Sequence, residues 1–416
     1  MPVHTLYPTR LTSLACAALS LSCGAALAQT QVVKPAYTHY WMDVSTASMA
    51  GMDDMPGMGA LASMMGGRGG SSEGSSFGST KGMTPGRWLD IAVVTQRKPA
   101  GTQALQSIPA GQNMGPSLTL LPVEATSRPK PTQGRDGEES QPLPEKPKGR
   151  ILFYWGCGDT VRAGQPKVLD FSTAGPQDYA NFMAGRTARQ RGATATPGHS
   201  IWPNPQHKQS VPKGASLVGQ HSLTGEGLPA TLQFAIASAQ DIMPTLALNA
   251  AGGGNAVTNV SWPAIPSAKA YFLNAMAGGD QEMVIWSSSE LPEPGWGLMD
   301  YLGNANTEKW LGEKVLLPAS QTRCNIPAGI FAKSDGAMVQ GIAYGQDLHL
   351  VYPPRPTDPK VAWEQEWTAQ VRVKSVAMMP MERGGDAAKM EPQKPMAPTI
   401  PGLPNLGNAL KGLFGR

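Results

Sequence analysis

Methionine recurs at every third position of one short segment, and this series is the clearest candidate for chemistry in the chain. The residues are Met49, Met52, Met55 and Met58, within a Met-rich segment that spans 49–65. Thioether sulfur is a soft, uncharged ligand that prefers Cu(I). Because a flexible chain can wrap several such sulfurs around one ion, the series predicts copper binding. The alternatives are a low-complexity loop that holds no cofactor, and a loop whose methionines pack on a partner.

The rest of the chain offers little with the spacing of a catalytic motif. The histidines are scattered, and neither a nucleophile elbow nor a phosphate-binding loop occurs. Glu364 and Glu366 lie beside Trp363 and Trp367, an arrangement that suits a carboxylate pair acting on a polysaccharide. An exposed polar turn before the last strand explains these residues too, and the sequence favours that interpretation. We therefore expect a protein that is not an enzyme.

The first residues have the pattern of a cleavable signal peptide. Arg10 precedes an apolar run that ends in Ala26-Leu27-Ala28. A membrane anchor is the less favoured alternative, because the run is short and interrupted by Ser, Cys and Gly. We expect a signal peptide at 1–28 with cleavage near Ala28, no membrane span in the mature chain, and a location in the periplasm or outside the cell.

Export bears on the methionine series, because segment 49–65 resembles the Met-rich loops of exported copper-resistance and multicopper oxidase proteins. The resemblance implies a periplasmic copper-binding protein. The segment departs from those loops in lacking histidine, which commonly accompanies their methionines and would hold Cu(II). The ligand that the segment predicts is therefore Cu(I).

Cysteine usage agrees with an oxidising compartment. Two of the four cysteines lie within the predicted signal peptide, which leaves Cys157 and Cys324 in the mature chain. A disulfide between them would close a long loop, worth roughly 5 kcal/mol in the chain-entropy model. Two unpaired, buried thiols are the alternative, because the sequence cannot place the two Cα atoms at bridging distance.

Composition and periodicity together predict a mainly β fold. The 416 residues include 48 Gly and 38 Pro and only 15% are charged, which argues against a helical bundle. Period-two alternation of apolar residues recurs along the chain, and short helices are predicted only at 178–191 and 298–311. The net charge of +4 is too small and too scattered to indicate a nucleic-acid partner.

Two strand predictions bear on how the sheet is arranged. Residues 37–48 and 87–97 are predicted to pair as a hairpin whose loop has grown into a long insertion. Residues 367–379 are predicted to form an edge strand. On it, Arg372 and Lys374 would act as charges that prevent pairing with another chain.

We expect two antiparallel β-sandwich-like domains with disordered insertions. The N-terminal β domain spans 29–250, and the C-terminal β domain spans 256–379. Gly- or Pro-rich composition with few apolar residues predicts disorder in three further segments. These are the Met/Gly-rich insertion 49–86, the Pro-rich insertion 126–149, and a tail at 380–416 that ends in a short amphipathic segment.

Residues 256–350 resemble a fibronectin type III sandwich. Trp262 is followed by a short turn and then by Tyr271, as in paired strands of that family, where a buried Trp lies against a Tyr of the next strand. Cys324 and the predicted helix at 298–311 depart from the family pattern. The resemblance implies a fold but no function, since such sandwiches serve as spacers, adhesive modules and accessory domains alike.

The whole chain also resembles exported proteins of Gram-negative bacteria to which no activity is assigned, and that likeness adds none here. Export together with the lack of catalytic spacing favours a non-enzymatic structural or interaction protein of the cell envelope. Its partner would be an envelope protein or a polysaccharide. A periplasmic copper-binding protein that uses segment 49–65 is the alternative.

Overall fold

The computed structural model describes residues 31–50, 75–124, 149–188, 191–279, 281–334 and 336–381. Within them lie the strands β1 to β20 and the helices α1 (Pro176–Met183) and α2 (Asn304–Gly312). The first ten strands are β1 (Val33–Lys34), β2 (Thr38–Met49), β3 (Gly86–Thr95), β4 (Ala104–Ser107), β5 (Ser117–Pro122), β6 (Arg150–Trp155), β7 (Lys167–Asp170), β8 (Ser200–Trp202), β9 (Gly219–Gly225) and β10 (Gln233–Ile236). The others are β11 (Asn249–Gly252), β12 (Thr258–Ser261), β13 (Ala270–Gly278), β14 (Glu282–Ser287), β15 (Leu317–Pro318), β16 (Arg323–Ile326), β17 (Ala337–Tyr344), β18 (Leu348–Tyr352), β19 (Trp363–Glu364) and β20 (Trp367–Met381). The predicted signal peptide, most of both predicted insertions and nearly all of the predicted tail lie outside the described residues.

Fifteen strands join in one mixed sheet, so the prediction of a mainly β fold is confirmed. The order is β10–β9–β4–β5–β8–β3–β2–β20–β17–β13–β14–β6–β7, with β15 beside β13 and β18 beside β20. The pairs β2–β20 and β14–β6 are parallel. Strands from both sides of the predicted boundary between residues 250 and 256 therefore pair in a single sheet.

The predicted hairpin is confirmed, since β2 and β3 pair antiparallel with Asp43 opposite Asp90. The predicted disorder of the insertion does not extend to residues 75–86. There, a 3-10 turn at Ser79–Lys81 buries Thr80, whose hydroxyl donates a hydrogen bond to the Asp90 carboxylate. Polar contacts from Thr80 and from the Gly78 amide to Asp90 thus hold residues whose composition predicts a loop against the sheet.

The prediction of an edge strand at 367–379 is wrong. β20 is fifteen residues long and lies in the middle of the sheet, with β2 on one side and β17 and β18 on the other. Arg372 and Lys374 are buried, at 3% and 2% exposure, rather than facing solvent. These charges therefore need partners inside the protein, because a buried unpaired charge is costly.

One face of the large sheet faces the main hydrophobic core, and two other layers complete that core in a sandwich-like arrangement. The strands at one end of the sheet, β4, β5, β9 and β10, fold over β2 and β3. As a result, the ring centroids of Tyr40 and Phe234 lie 5.1 Å apart. The three-stranded sheet β11–β12–β16 contributes Val260 and Ile326 to the same core. Alternating apolar residues on long strands thus bury one continuous face.

The Trp262 and Tyr271 rings do meet, with centroids 5.3 Å apart. The Tyr271 hydroxyl also accepts a hydrogen bond from the Ile265 amide at 3.0 Å. However, β12, which precedes Trp262, belongs to the three-stranded sheet, whereas Tyr271 lies in β13 of the large sheet. The two aromatics therefore pack between sheets, and the fibronectin type III resemblance stays a prediction.

Both helices occur close to their predicted places but are shorter. The first was predicted at 178–191, yet α1 ends at Met183 because the chain then turns toward a cluster of acids. The Arg186 guanidinium bonds Glu293 and Glu313 at 3.2 and 2.7 Å, and its amide donates to Glu293. No helix among the described residues is long and apolar enough to cross a membrane.

Candidate functional site

The structure places only the first residue of the predicted methionine series. Met49 is the last residue of β2 and lies opposite Met378 of β20. Met52, Met55 and Met58 lie outside the described residues, so the predicted copper site stays a prediction. Within the described part of the chain, no group of three or more His, Cys, Asp or Glu side chains is arranged to hold a metal ion.

Cys157 and Cys324 form a disulfide with their Cα atoms 5.1 Å apart. Cys157 lies just after β6, at one end of the large sheet, and Cys324 lies in β16 of the three-stranded sheet. The bridge therefore ties the two sheets together, close to the strands that form the groove described below.

The predicted carboxylate pair does not face a common cleft. Glu364 is exposed and forms an ion pair with Lys34 at 2.6 Å. Glu366 instead accepts a hydrogen bond from the Thr231 hydroxyl at 2.6 Å. Trp367 is buried and stacks on Tyr352. The two carboxylates are engaged with different parts of the protein, which does not favour the acid/base arrangement of a glycosidase.

An open groove lies on one face of β14, β6 and β7, and it was not predicted from the sequence. Its floor is a cross-strand row in which Val284, Leu152 and Val168 lie side by side. Its volume is about 800 Å³. The rim is polar: Arg150 bonds Glu282, and the opposite wall comes from the turn that contains Lys333. Val168 is 51% exposed, so the groove offers apolar surface to solvent.

The strand β7 ends the sheet and presents a free edge beside this groove. The Phe171 amide donates to the Gly149 carbonyl, so odd-numbered residues of this strand exchange hydrogen bonds with β6. Because the pattern alternates along an antiparallel strand, the amide and carbonyl of Val168 point away from β6. β6 is the one strand beside β7 in the part of the chain that the structure describes.

A second hollow runs along the other side of β7, next to α1. It has a volume of about 410 Å³ and is lined by Lys167, Leu169 and helix residues that include Asn181 and Phe182. The helix is held in place because Phe182 packs with Phe153 and Leu169 in a small core beneath the sheet. Both sides of the free edge are therefore open, while the strand itself rests on a rigid support.

A buried ion pair lies at the centre of the sheet. Arg372 donates to both carboxylate oxygens of Asp43, at 2.7 and 2.6 Å, across the parallel pair β2–β20. The Ala193 amide donates to the same carboxylate at 3.1 Å. The position preceding Ala193 is glycine, and a Cβ there would lie 1.7 Å from the guanidinium, so only glycine fits. The pair thus joins β2 and β20, which are far apart in the sequence, to a loop that lies between them in the sequence.

Lys374 lies two residues further along the same face of β20. Its ammonium group bonds Asp300 at 3.2 Å and lies 4.4 Å from the centre of the Tyr301 ring, which Arg372 also covers. Burial lowers the pKa of Lys374 below its ordinary value, against the opposing effect of Asp300. These charges are enclosed by the sheet and by the loop that precedes α2. We therefore assign this cluster a structural role, in which it stabilises the fold.

Asp90 lies beside this cluster of buried charges, and folding raises the pKa of its carboxyl group. The carboxylate is 1% exposed and accepts hydrogen bonds from the Thr80 hydroxyl and from the Gly78 amide. Burial raises the pKa of Asp90 from 3.8 to about 6, and the hydrogen bonds and the neighbouring Asp43 modify that rise. The folded state therefore binds a proton more tightly than the unfolded state does.

We predict that Asp90→Asn flattens the pH dependence of stability between about pH 4 and pH 6. A carboxyl group whose pKa is raised on folding stabilises the fold below its unfolded pKa, and that contribution is lost as the pH rises through the folded pKa. For a shift of this size the loss is on the order of 3 kcal/mol. Urea unfolding of both proteins across this interval measures the change.

Asp347, whose pKa burial also raises to about 6, contributes to the same interval in both proteins. The difference between the wild type and Asp90→Asn isolates Asp90. Parallel stability curves for the two proteins would show that Asp90 is not held at this raised pKa.

Comparison with known proteins gives no identity: no protein-family model and no curated protein matches the chain.

Proposed function

We propose that this protein is an exported, non-enzymatic interaction protein of the cell envelope, which binds an extended polypeptide segment of a partner protein along the free edge of β7. The observation that carries the proposal is the outward-facing backbone of Val168 between two open hollows. An extended peptide can add a strand to such an edge through main-chain hydrogen bonds, while hollows on either side accept its alternating side chains.

The chemistry of the groove favours a polypeptide over a polysaccharide. Its floor is aliphatic, with Leu152, Val168 and Val284 in one row, and a strand added beside β7 would extend that row with its own apolar residues. Sugar rings bind best on exposed aromatic faces, and among the described residues Tyr154 is the one aromatic side chain that lines this groove.

Export rests on the predicted signal peptide at 1–28 and is supported by the pairing of Cys157 with Cys324, because disulfides persist in oxidising compartments. The periplasm or the outside of the cell is therefore the proposed location. The partner is an envelope protein with an unpaired extended segment.

We predict that Val168→Pro weakens binding of extended peptides by about tenfold or more, since it removes one main-chain donor and clashes with an added strand. Proline is tolerated at an edge position whose N–H faces outward, so the fold should remain. Peptides are first selected on the wild-type protein from a displayed library of random sequences. Their affinities for the wild type and the variant are then compared by calorimetry.

The matched control is Ala235→Pro in β10, at the opposite end of the sheet. Ala235 is exposed, and its backbone also points away from its neighbour β9, because residues 232 and 223 exchange the hydrogen bond in that pair. This variant should bind the selected peptides as the wild type does. Equal weakening by both variants, or selection of glycans and no peptides in a parallel screen, would contradict the proposal.

A further inference from the structure

Five methionines lie on one face of the large sheet, near the ends of β2, β20, β17 and β13. Met49 lies opposite Met378, and Met276 lies opposite Met338. The fifth, Met83, precedes β3 and reaches over the same face. We call this group the methionine face: Met49, Met83, Met276, Met338 and Met378.

The register brings these residues into two adjacent rows. Gln340 continues the first row, since it lies opposite Met378 on the next strand. Its side-chain amide donates a hydrogen bond to the Met83 sulfur at 3.1 Å, which fixes that sulfur above the row. Met338 is two residues from Gln340 on the same strand, so it points to the same side and starts the second row. Met83, Met338 and Met378 are thus all neighbours of Gln340 on one face of the sheet.

The methionine face lies outside the main core, although Met83 packs against a second, smaller hydrophobic cluster. On the same strands, the residues that point into the main core are Ala275, Val339 and Ala377, all fully or nearly fully buried. By contrast Met276 is 41% exposed, and the other members of the methionine face are partly exposed. The exposed parts of Met276, Met338 and Met378 leave these thioethers accessible to a ligand, whereas methionines that only fill space are buried.

We propose that the methionine face binds a soft monovalent metal ion, Cu(I), with Met83, Met338 and Met378 as the central ligands and Met49 and Met276 beside them. Neutral sulfur donors favour Cu(I) over Cu(II), zinc and the hard cations, which prefer imidazole, thiolate or carboxylate ligands. This site consists of folded residues that lie far apart in the sequence. It shares Met49 with the series at 49–58 but takes its central ligands from other parts of the chain, and it does not rest on the proposed binding of a polypeptide at β7.

The first experiment is an anaerobic titration of the full mature chain with Cu(I), in competition with a chromophoric chelator. The face variant Met83→Leu/Met338→Leu/Met378→Leu removes the central sulfurs with little change in volume. Its affinity should fall by about tenfold or more. The control Met42→Leu/Met379→Leu changes two buried methionines on the opposite face and should bind as the wild type does.

A second variant, Met52→Leu/Met55→Leu/Met58→Leu, separates the methionine face from the sequence series. Weaker binding by the face variant supports the inference whether or not the series variant is also weaker. Unchanged affinity of the face variant, or a wild type that binds no Cu(I), overturns it.

A measurement on the wild type keeps the inference testable should the face variant fail to fold. Ag(I), a stable substitute for Cu(I), is added to protein labelled at the methionine methyl groups. The NMR signals of Met83, Met338 and Met378 should shift together at stoichiometric Ag(I), ahead of that of Met42. Shifts confined to other methionines would place the ion elsewhere.

Discussion

Replacing Arg372 with methionine is expected to lower the free energy of unfolding by about 3–5 kcal/mol, the usual cost of leaving one member of a buried ion pair alone. Asp43, at 1% exposure, would lose both guanidinium bonds and retain the Ala193 amide as its donor. Because the pair spans β2 and β20, the loss destabilises the pairing of two strands that are far apart in the sequence. Urea unfolding at neutral pH measures it.

The matched control is Lys34→Met, which removes one member of an exposed pair. Lys34 and Glu364 are 63% and 64% exposed, and such pairs contribute about 0–1 kcal/mol. The double variant Asp43→Leu/Arg372→Met should lose less than Arg372→Met alone, because it leaves no buried charge unpaired. A loss for Arg372→Met as small as that for Lys34→Met would contradict the buried pair.

Removal of the disulfide is the second large effect. The variant Cys157→Ala/Cys324→Ala is expected to unfold at lower urea, with a free energy of unfolding reduced by about 5 kcal/mol in the chain-entropy model. The reason is the loop that the bridge closes, with a sequence separation of 167 residues, which restricts the unfolded chain. The comparison is between the oxidised wild type and the double variant under the same conditions.

Two observations would count against this account of the disulfide. One is a thiol assay of the unfolded, unreduced wild type that detects free Cys157 and Cys324. The other is a double variant as stable as the wild type, since a bridge between two sheets should restrict the unfolded chain more than a local one would.

The central hairpin could be predicted from the sequence because its pattern is local. Apolar residues recur at every second position, at Tyr40, Met42 and Val44 and again at Leu89, Ile91 and Val93, so the period of two indicates both strands. Pairing between neighbouring strands in the sequence is the commonest case, and the long insertion between them does not alter it.

The position of β20 could not be predicted in this way. Arg372 and Lys374 read as solvent-facing charges because their partners Asp43 and Asp300 are distant in the sequence. The parallel pairing of β2 with β20 cannot be recognised from the local sequence, because each strand alone has the pattern of a strand with one polar face. The same holds for the candidate site, because the position of β7 at the end of the sheet depends on the whole topology.

The most direct test of the account is the exchange rate of the Val168 amide hydrogen, measured by NMR with and without a selected peptide. Strand addition at β7 predicts slow exchange of this amide only in the complex, because the peptide accepts its hydrogen bond. The amide of Leu169, already directed toward β6, should change little. An unchanged Val168 amide in a saturated complex, with protection elsewhere, would contradict peptide binding at this edge.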